Sequence, residues 1–444
     1  MERKRIAVIG AGIAGLSAAW LLARRHDVTL YERNRYFGGH THTVTVDTPD
    51  GPIGVDTGFV VYNEPNYPLL TGLFAHLGIE TQDTDMSFSA SIDGGRIEYA
   101  GSSLDTLFAQ RRNLVNPLYW GMLGDILRFN RTAKQSLETG DADGLSLGEY
   151  LDRGRFGRRL REHYLLPMAA AIWSCPTATM TAFPATSFLH FFRNHGLLDL
   201  KNRPQWQTVT GGAGSYVNRT LQDLGPAVHS EQPAVRVGRA DTGAWVRTDD
   251  GLLHNFDDIV LACHADEALA LIDQPSRDER DILGAFSYQE NRTILHSDAM
   301  LMPHSRRVWS SWNYLAESGA GGDRVSVTYW MNRLQRLPTE TDLLVSLNPL
   351  DEPLPELVIQ EMTYHHPVFD GRAIEAQGRL HQIQGQARFW FTGSYAGYGF
   401  HEDALRASVE MVREGFGILP PWLERAEEAA PMPAVQRSRR AVAS

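Results

Sequence analysis

The apolar positions of the first thirty residues change period twice. Arg5-Ile6-Ala7-Val8-Ile9 is a short apolar run that stops at Gly10, and Ile13 to Arg25 carries its apolar residues at helical spacing. Asp27 to Glu32 alternates in type and is rich in β-formers. The pattern predicts a strand, a tight turn, a helix and a second, parallel strand, so that one βαβ unit is complete by residue 32. From about Leu104 to Leu198 the pattern changes to long helical stretches interrupted by Gly and Pro, which predicts an inserted helical domain. Short strands return between Arg203 and Cys263, in Thr208-Val209-Thr210, Ala234 to Val237 and Asp258 to Ala262. From Ala265 to Gln384, strands such as Arg324 to Trp330 mix with Pro-bounded loops and the segment His365-His366-Pro367. A strand from Arg388 to Phe391 runs into Gly393, and a helix is expected from about Glu402 to Phe416. The Ala-, Pro-, Arg- and Glu-rich tail from Glu424 onward is expected to be disordered, and no internal repeat is evident.

A chain of 444 residues outgrows a single hydrophobic core, so two joined domains are expected. No run of eighteen apolar residues predicts a membrane span, and Met1 to Arg5 leads straight into the first strand, which predicts a cytoplasmic protein without a secretory signal. Peripheral contact with a membrane is left open by these arguments. Cys175 and Cys263 are the only cysteines, too few for a disulfide framework and without metal-type spacing, and are expected to be reduced core residues. A net charge of −11 argues against broad nucleic-acid binding. Lysine is scarce: Lys4, Lys134 and Lys201 complete the list.

Gly10-Ala11-Gly12-Ile13-Ala14-Gly15 is a G-x-G-x-x-G placed after a strand and at the mouth of a helix. Gly10 permits the tight turn, Gly12 lets a pyrophosphate approach the backbone, and Gly15 lets the helix pack closely on the sheet. The helix N-terminus at Ile13 and Ala14 offers free N–H groups and the positive end of its dipole. Glu32, 17 residues beyond Gly15, suits a carboxylate that accepts hydrogen bonds from adenosine ribose hydroxyls and disfavours a 2′-phosphate. A dinucleotide site is therefore expected.

The stretch from Arg33 through Gly38-Gly39-His40-Thr41-His42, then Val55-Asp56-Thr57-Gly58-Phe59, resembles the flavin-containing amine oxidase superfamily. There a Gly-Gly-Arg element follows the ribose acid and wraps the pyrophosphate and flavin; His40 stands here at the place of the arginine. Ile259 to Ala262 with His264 and Ala265 looks like the later Rossmann strand of that superfamily, and Val235 sits where a backbone contact to adenine is expected. Phe391-Thr392-Gly393-Ser394 and Gly397 to Ala404, which includes His401, are similar to its last FAD motif, whose helix N-terminus points at the flavin. Ser394 replaces an acid common there, and Asp403 a glycine. The resemblance thus implies FAD as cofactor, contacted by Arg33, Gly39, His40, Thr41, Val235, Gly393, Ser394, His401 and Ala404 in addition to the fingerprint and Glu32. It also implies an α/β fold in which an FAD-binding Rossmann-type domain (1–75, 205–265 and 385–423) encloses a discontinuous α+β substrate domain with a helical insert (76–204 and 266–384), ahead of the tail 424–444.

In amine-oxidising members a lysine near flavin N5 commonly holds a water, and no lysine of this sequence matches it. With no cysteine after Cys263 and with His40 and His42 expected to bond phosphate or backbone, the flavin is expected to be held non-covalently. Tyr164 to Trp173, with Phe183, Phe188, Phe191 and Phe192, read as helical core or as the lining of an apolar channel. Tyr62 and Asn63, opposed by Tyr329, Trp330 and Asn332, are candidates to orient a substrate, with Tyr62 and Tyr329 the only catalytic candidates. His365 and His366 lack a ligand pattern for metal, and His366 before Pro367 fits a loop or strand end better than a base. The expectation is an FAD-dependent oxidoreductase that takes hydride from a small, apolar, lipid-like substrate in a desaturation or isomerisation. An amine oxidase without the lysine and a flavin-binding protein without turnover are the alternatives.

Overall fold

The computed structural model describes residues 2–173, 177–199, 203–225, 228–317 and 324–424. Cys175, Lys201 and the tail from residue 425 lie outside the described residues. Five parallel strands form the central sheet in the order Val228–His229, Asp27–Tyr31, Arg5–Ile9, Asp258–Leu261, Phe389–Phe391. Burial on both faces explains why Arg5–Ile9 reads as a continuous apolar run: Ile6 and Val8 enter one core, Ala7 and Ile9 the other. The first core joins the sheet to the helix Ile13–Ala23, the helix Gly214–Leu224 and the final helix His401–Phe416. On the opposite face lies the antiparallel meander Ala234–Ala240, Gly243–Thr248, Leu253–Phe256.

A seven-stranded sheet forms the second platform, in the order Val358–Val368, Ser287–His296, Leu344–Leu347, Arg324–Trp330, Trp312–Glu317, Phe88–Ile92, Ile97–Ala100. All its neighbours are antiparallel except Trp312–Glu317 beside Phe88–Ile92. Register puts Trp312, Tyr329 and Val345 in one row across three adjacent strands, so they project from one face. The helical insert includes the long helix Pro117–Thr139 and the shorter Leu147–Arg153, Leu166–Trp173 and Ala185–Asn194, packed around Phe129, Phe188 and Phe192.

Two helical regions cross the expected partition, each for a packing reason. The helix Pro68–Leu77 crosses the boundary expected at residue 75, because Leu70, Leu73, Phe74 and Leu77 all belong to the first core. The helices Ala265–Leu271, Arg277–Leu283 and Gly371–Arg379, from the span expected on the substrate side, bury Ala268, Ile282, Leu283, Ala373 and Ala376 in the core beneath the parallel sheet. Trp206–Val209 joins no parallel strand but pairs with Val61–Tyr62 and Thr81–Thr84 in a separate small sheet. No helix of the described residues is long and apolar enough to cross a membrane.

Candidate cofactor and substrate site

The fingerprint turn is built by what its glycines lack. Gly10 takes φ +98°, a left-handed conformation that sets the turn after the first strand. A Cβ at residue 15 would stand 1.8 Å from the carbonyl oxygen of Gly10, so any side chain there would lift the helix off the sheet. A Cβ at residue 12 would meet nothing within 4 Å, which leaves open space in front of the helix. Its first turn carries no acidic residue and no side-chain cap, so the free N–H groups remain available to an anion. Glu32, buried just past the second strand, accepts the N–H of Ala11 at 2.8 Å and that of Asn34 at 2.9 Å. One carboxylate thus braces the fingerprint loop while its residue lines the cavity in front of it.

That cavity, about 710 Å³, runs from the carboxyl ends of the parallel strands to the seven-stranded sheet. Gly10, Gly12, Ile13, Ala14, Glu32 and Arg33 line it, as do Gly39, His40 and Val235, and Gly393, Ser394, His401 and Ala404. Gly15 and Thr41 do not. Gly15 is consumed by helix packing, and the Thr41 hydroxyl is buried in a 2.6 Å hydrogen bond with the Tyr216 hydroxyl. Toward the sheet the wall is formed by Met86, Ile172, Phe191, Trp312, Tyr329 and Val345. Trp312 and Tyr329 meet edge to face, their rings 4.9 Å apart at 88°.

Tyr329 therefore takes the expected place in the wall, and Tyr62 does not. The Tyr62 ring is buried in the first core and its hydroxyl donates to Gln207 Oε1 at 2.7 Å, while Val61 before it faces the cavity. Asn63 is also buried away from the cavity, and Asn332 and Trp330 are occupied by the loop around Thr339 to Asp342. Of the aromatic residues offered as channel lining, Phe191 reaches the cavity; Trp173, Phe183, Phe188 and Phe192 are core. His365 and His366 lie toward the end of the strand Val358–Val368, and both line the cavity. Cys263 lines it too, half-buried, with its thiol pushed up by burial. Trp312, Tyr364, His195 and Asp56 also line the cavity and were not among the expected site residues. Only the two-residue alternation of the Trp312 and Tyr364 strands carried a hint.

Six histidines stand around this space: His40, His195, His264, His365, His366 and His401. Burial pushes His366 and His195 down to about 4 and His401 to about 3, and it lowers His264. His40 is driven well below the usual range by burial and then by the neighbouring His366 and His264. Its ring lies 5.1 Å from that of His366 and 5.0 Å from that of Tyr364, and its Nε2 is buried without a partner. His40, His366 and His401 are therefore uncharged near neutral pH, and Arg33 is paired with Glu267 at 2.8 Å. Among the described residues no group of these side chains has the geometry to hold a metal ion.

The final helix is less open to an anion than the first. Asp403 in its first turn accepts the N–H groups of Tyr398 and Phe400 at 3.0 and 3.1 Å, and Glu402 beside it accepts those of Leu69 and Leu70. The dipole expected to face the flavin is thus met partly by the helix's own acids. His401, stacked on Phe59 at 3.9 Å and bonded through Nε2 to the Tyr216 hydroxyl at 2.6 Å, presents a neutral ring at that end.

A family model described as flavin containing amine oxidoreductase matches residues 13–341. The chain belongs to that family. AofH of Mycobacterium tuberculosis, which carries the provisional name flavin-containing monoamine oxidase, is 27% identical over 261 residues, 55% of this chain and 54% of its own. The chain spans about half the length of the curated relatives it matches. Among solved structures, the CLA-producing fatty acid isomerase from P. acnes is similar at a TM-score of 0.66 and 16% identity, with 93% of this chain and 99% of that one covered. Cyclohexylamine oxidase from Brevibacterium oxydans is similar at 0.65 and 15%, with coverage of 93% and 99%. At these identities the likeness is one of fold.

The site fits the flavin that the family implies. An uncapped helix N-terminus behind open space at Gly12 suits a pyrophosphate, the buried Glu32 suits a ribose, and the partnerless His40 Nε2 belongs to a residue lining the same cavity. Glu32→Gln should weaken FAD binding about ten- to a hundredfold, the loss of a charge-assisted hydrogen bond of roughly 1.5–3 kcal/mol. Fluorescence titration checks this; unchanged affinity at unchanged thermal midpoint would count against the ribose role.

Asp56 also faces the cavity, with its carboxylate on the Ala213 N–H at 2.9 Å and on the Thr43 hydroxyl. Burial raises it from 3.8 to about 7. A carboxyl raised on folding stabilises the fold below its unfolded pKa and loses that contribution as pH rises toward the folded value. Asp56→Asn should therefore gain stability relative to the wild type between pH 5 and 8, on the order of 2–3 kcal/mol. The titrations of the histidines and of Glu402, itself raised to about 7 by burial, largely cancel in that difference. Denaturant unfolding of both proteins at the two pH values measures it, and a constant difference would contradict the assignment.

Proposed function

We propose that this protein is an FAD-dependent oxidoreductase acting on a small apolar, lipid-like substrate, by desaturation or isomerisation of a carbon–carbon bond. The observation that carries the reading is the wall of Met86, Ile172, Phe191, Trp312, Tyr329 and Val345, which continues the cofactor cavity with apolar surface and no lysine among the described residues. Bound FAD would supply the hydride acceptor at its N5. The chain's own part is to hold the substrate against that position, exclude water with the aromatic wall, and surround the reacting end with neutral histidines. Non-covalent binding is supported by the absence of cysteine after Cys263 and by the occupation of His42, whose ring stacks on Tyr36 at 4.0 Å and whose Nδ1 bonds the Tyr364 hydroxyl at 3.1 Å.

A second reading, an amine oxidase that works without the lysine, is favoured by the likeness to cyclohexylamine oxidase. Against it, the apolar wall carries no carboxylate for an ammonium group, and the acids lining the rest of the cavity are engaged, Asp56 by Thr43 and Ala213, Glu32 by Ala11 and Asn34, and Glu267 by Arg33. The two separate in one experiment. The flavin-loaded protein, mixed anaerobically with acyl lipids, should lose its absorbance or shift the position of a double bond detectable by mass spectrometry, and should stay oxidised with simple amines. Rapid bleaching by amines with no lipid conversion would overturn the proposal. Failure of every pool would favour a flavin-binding protein without turnover.

A further inference from the structure

Exposed apolar side chains on this protein are not scattered. Of the twelve most exposed large ones among the described residues, six fall between positions 104 and 127: Leu104, Leu114, Val115, Leu118, Trp120 and Leu127. Leu104 is 76% exposed, Val115 85% and Leu118 61%, values far from those of ordinary core helices. These residues belong to one folded unit. The Trp120 indole N–H donates to the carbonyl of Leu114 at 2.9 Å, the Tyr119 hydroxyl to that of Leu107 at 2.6 Å, and Phe108 lies 5.2 Å from the Trp120 ring. Trp120 and Leu127, seven residues apart in the helix Pro117–Thr139, share its outer face, while Tyr119, Met122 and Phe129 fill its inner one.

Charge selects the partner. Between Asp105 and Asp125 the chain has no acidic residue and two arginines, Arg111 and Arg112, both exposed, in a protein whose net charge is −11. Arg111 is paired with Asp105, and the Arg112 guanidinium rests on the carbonyl of Arg96, another exposed arginine. A second copy of the chain in a symmetric contact would bring these arginines against each other. Leucine, valine and an interfacial tryptophan beside arginines instead match the boundary of a bilayer with anionic headgroups. Tyr119 and Met122 on the inner face of the same helix belong to the hydrophobic core against which Trp312 and Tyr329 of the cavity wall pack.

We propose that the surface formed by Leu104, Leu114, Val115, Leu118 and Trp120, with Arg111 and Arg112, docks the protein peripherally on an anionic phospholipid membrane. The proposal stands on exposure and charge and does not depend on which substrate the cavity takes. Flotation of the flavin-loaded full chain with vesicles of phosphatidylcholine, with or without about a third phosphatidylglycerol, tests it. The wild type should float with the anionic vesicles, less with neutral ones and less at high salt. Val115→Glu with Leu118→Glu should cut partitioning at least tenfold at unchanged flavin content and thermal midpoint, and Arg112→Gln should weaken the preference for anionic vesicles. Should the double variant fail to fold, Leu104→Gln on a separate element should show the same direction of change. A wild type that stays with the soluble fraction, variants that float equally well, or a dimer seen by light scattering that the double variant abolishes without vesicle binding would each overturn the proposal.

Discussion

A single missing atom holds the site together. With hydrogen at residue 15 where any other amino acid would carry a Cβ, the first helix sits against the Gly10 carbonyl, and its N-terminus is delivered to the carboxyl end of the central strand. Gly39 then closes on the same point: its own Cβ would lie 3.1 Å from the Gly12 Cα, so the loop carrying His40 passes directly over the fingerprint. Glu32 fixes the other side of the turn through the Ala11 N–H. Once these backbones are in contact, the position of the cavity follows, and the seven-stranded sheet has only to supply its far wall.

Charge at this site is handled by backbone rather than by cations. The lysines of the described residues are committed elsewhere, Lys4 to Asp258 and Lys134 to Asp199, and Arg33 is paired with Glu267. The ring that stands at the arginine position of the resemblance, His40, is neutral because burial and neighbouring histidines oppose its proton. The negative charge of a dinucleotide would therefore rest on the free N–H groups of the first helix. The final helix, whose first turn already carries Glu402 and Asp403, has less to offer.

Much of this was legible along the chain. Strands buried on both faces write themselves as apolar runs, and the glycine fingerprint declares its turn, so the βαβ unit and the helical insert follow from period alone. Family resemblance then supplied the position of Gly393 and His401. Other features were hidden for reasons of geometry. Val61–Tyr62 is a two-residue strand, too short for alternation to tell that the tyrosine turns to the core. A histidine before Pro367 suits a loop or a strand end, and no local signal tells that His365 and His366, near the end of an edge strand, line the cavity. The helices Arg277–Leu283 and Gly371–Arg379 pack under the parallel sheet through small apolar faces that no local signal assigns to one platform or the other.

We propose that this cavity holds one FAD without a covalent bond to the chain. Acid precipitation of the purified protein, reconstituted with FAD where needed, followed by chromatography of the supernatant, addresses it directly. One equivalent of FAD per chain, all of it released, is the expected result. A protein that takes up no FAD, one that binds only a mononucleotide, or flavin that stays with the precipitated chain would contradict it.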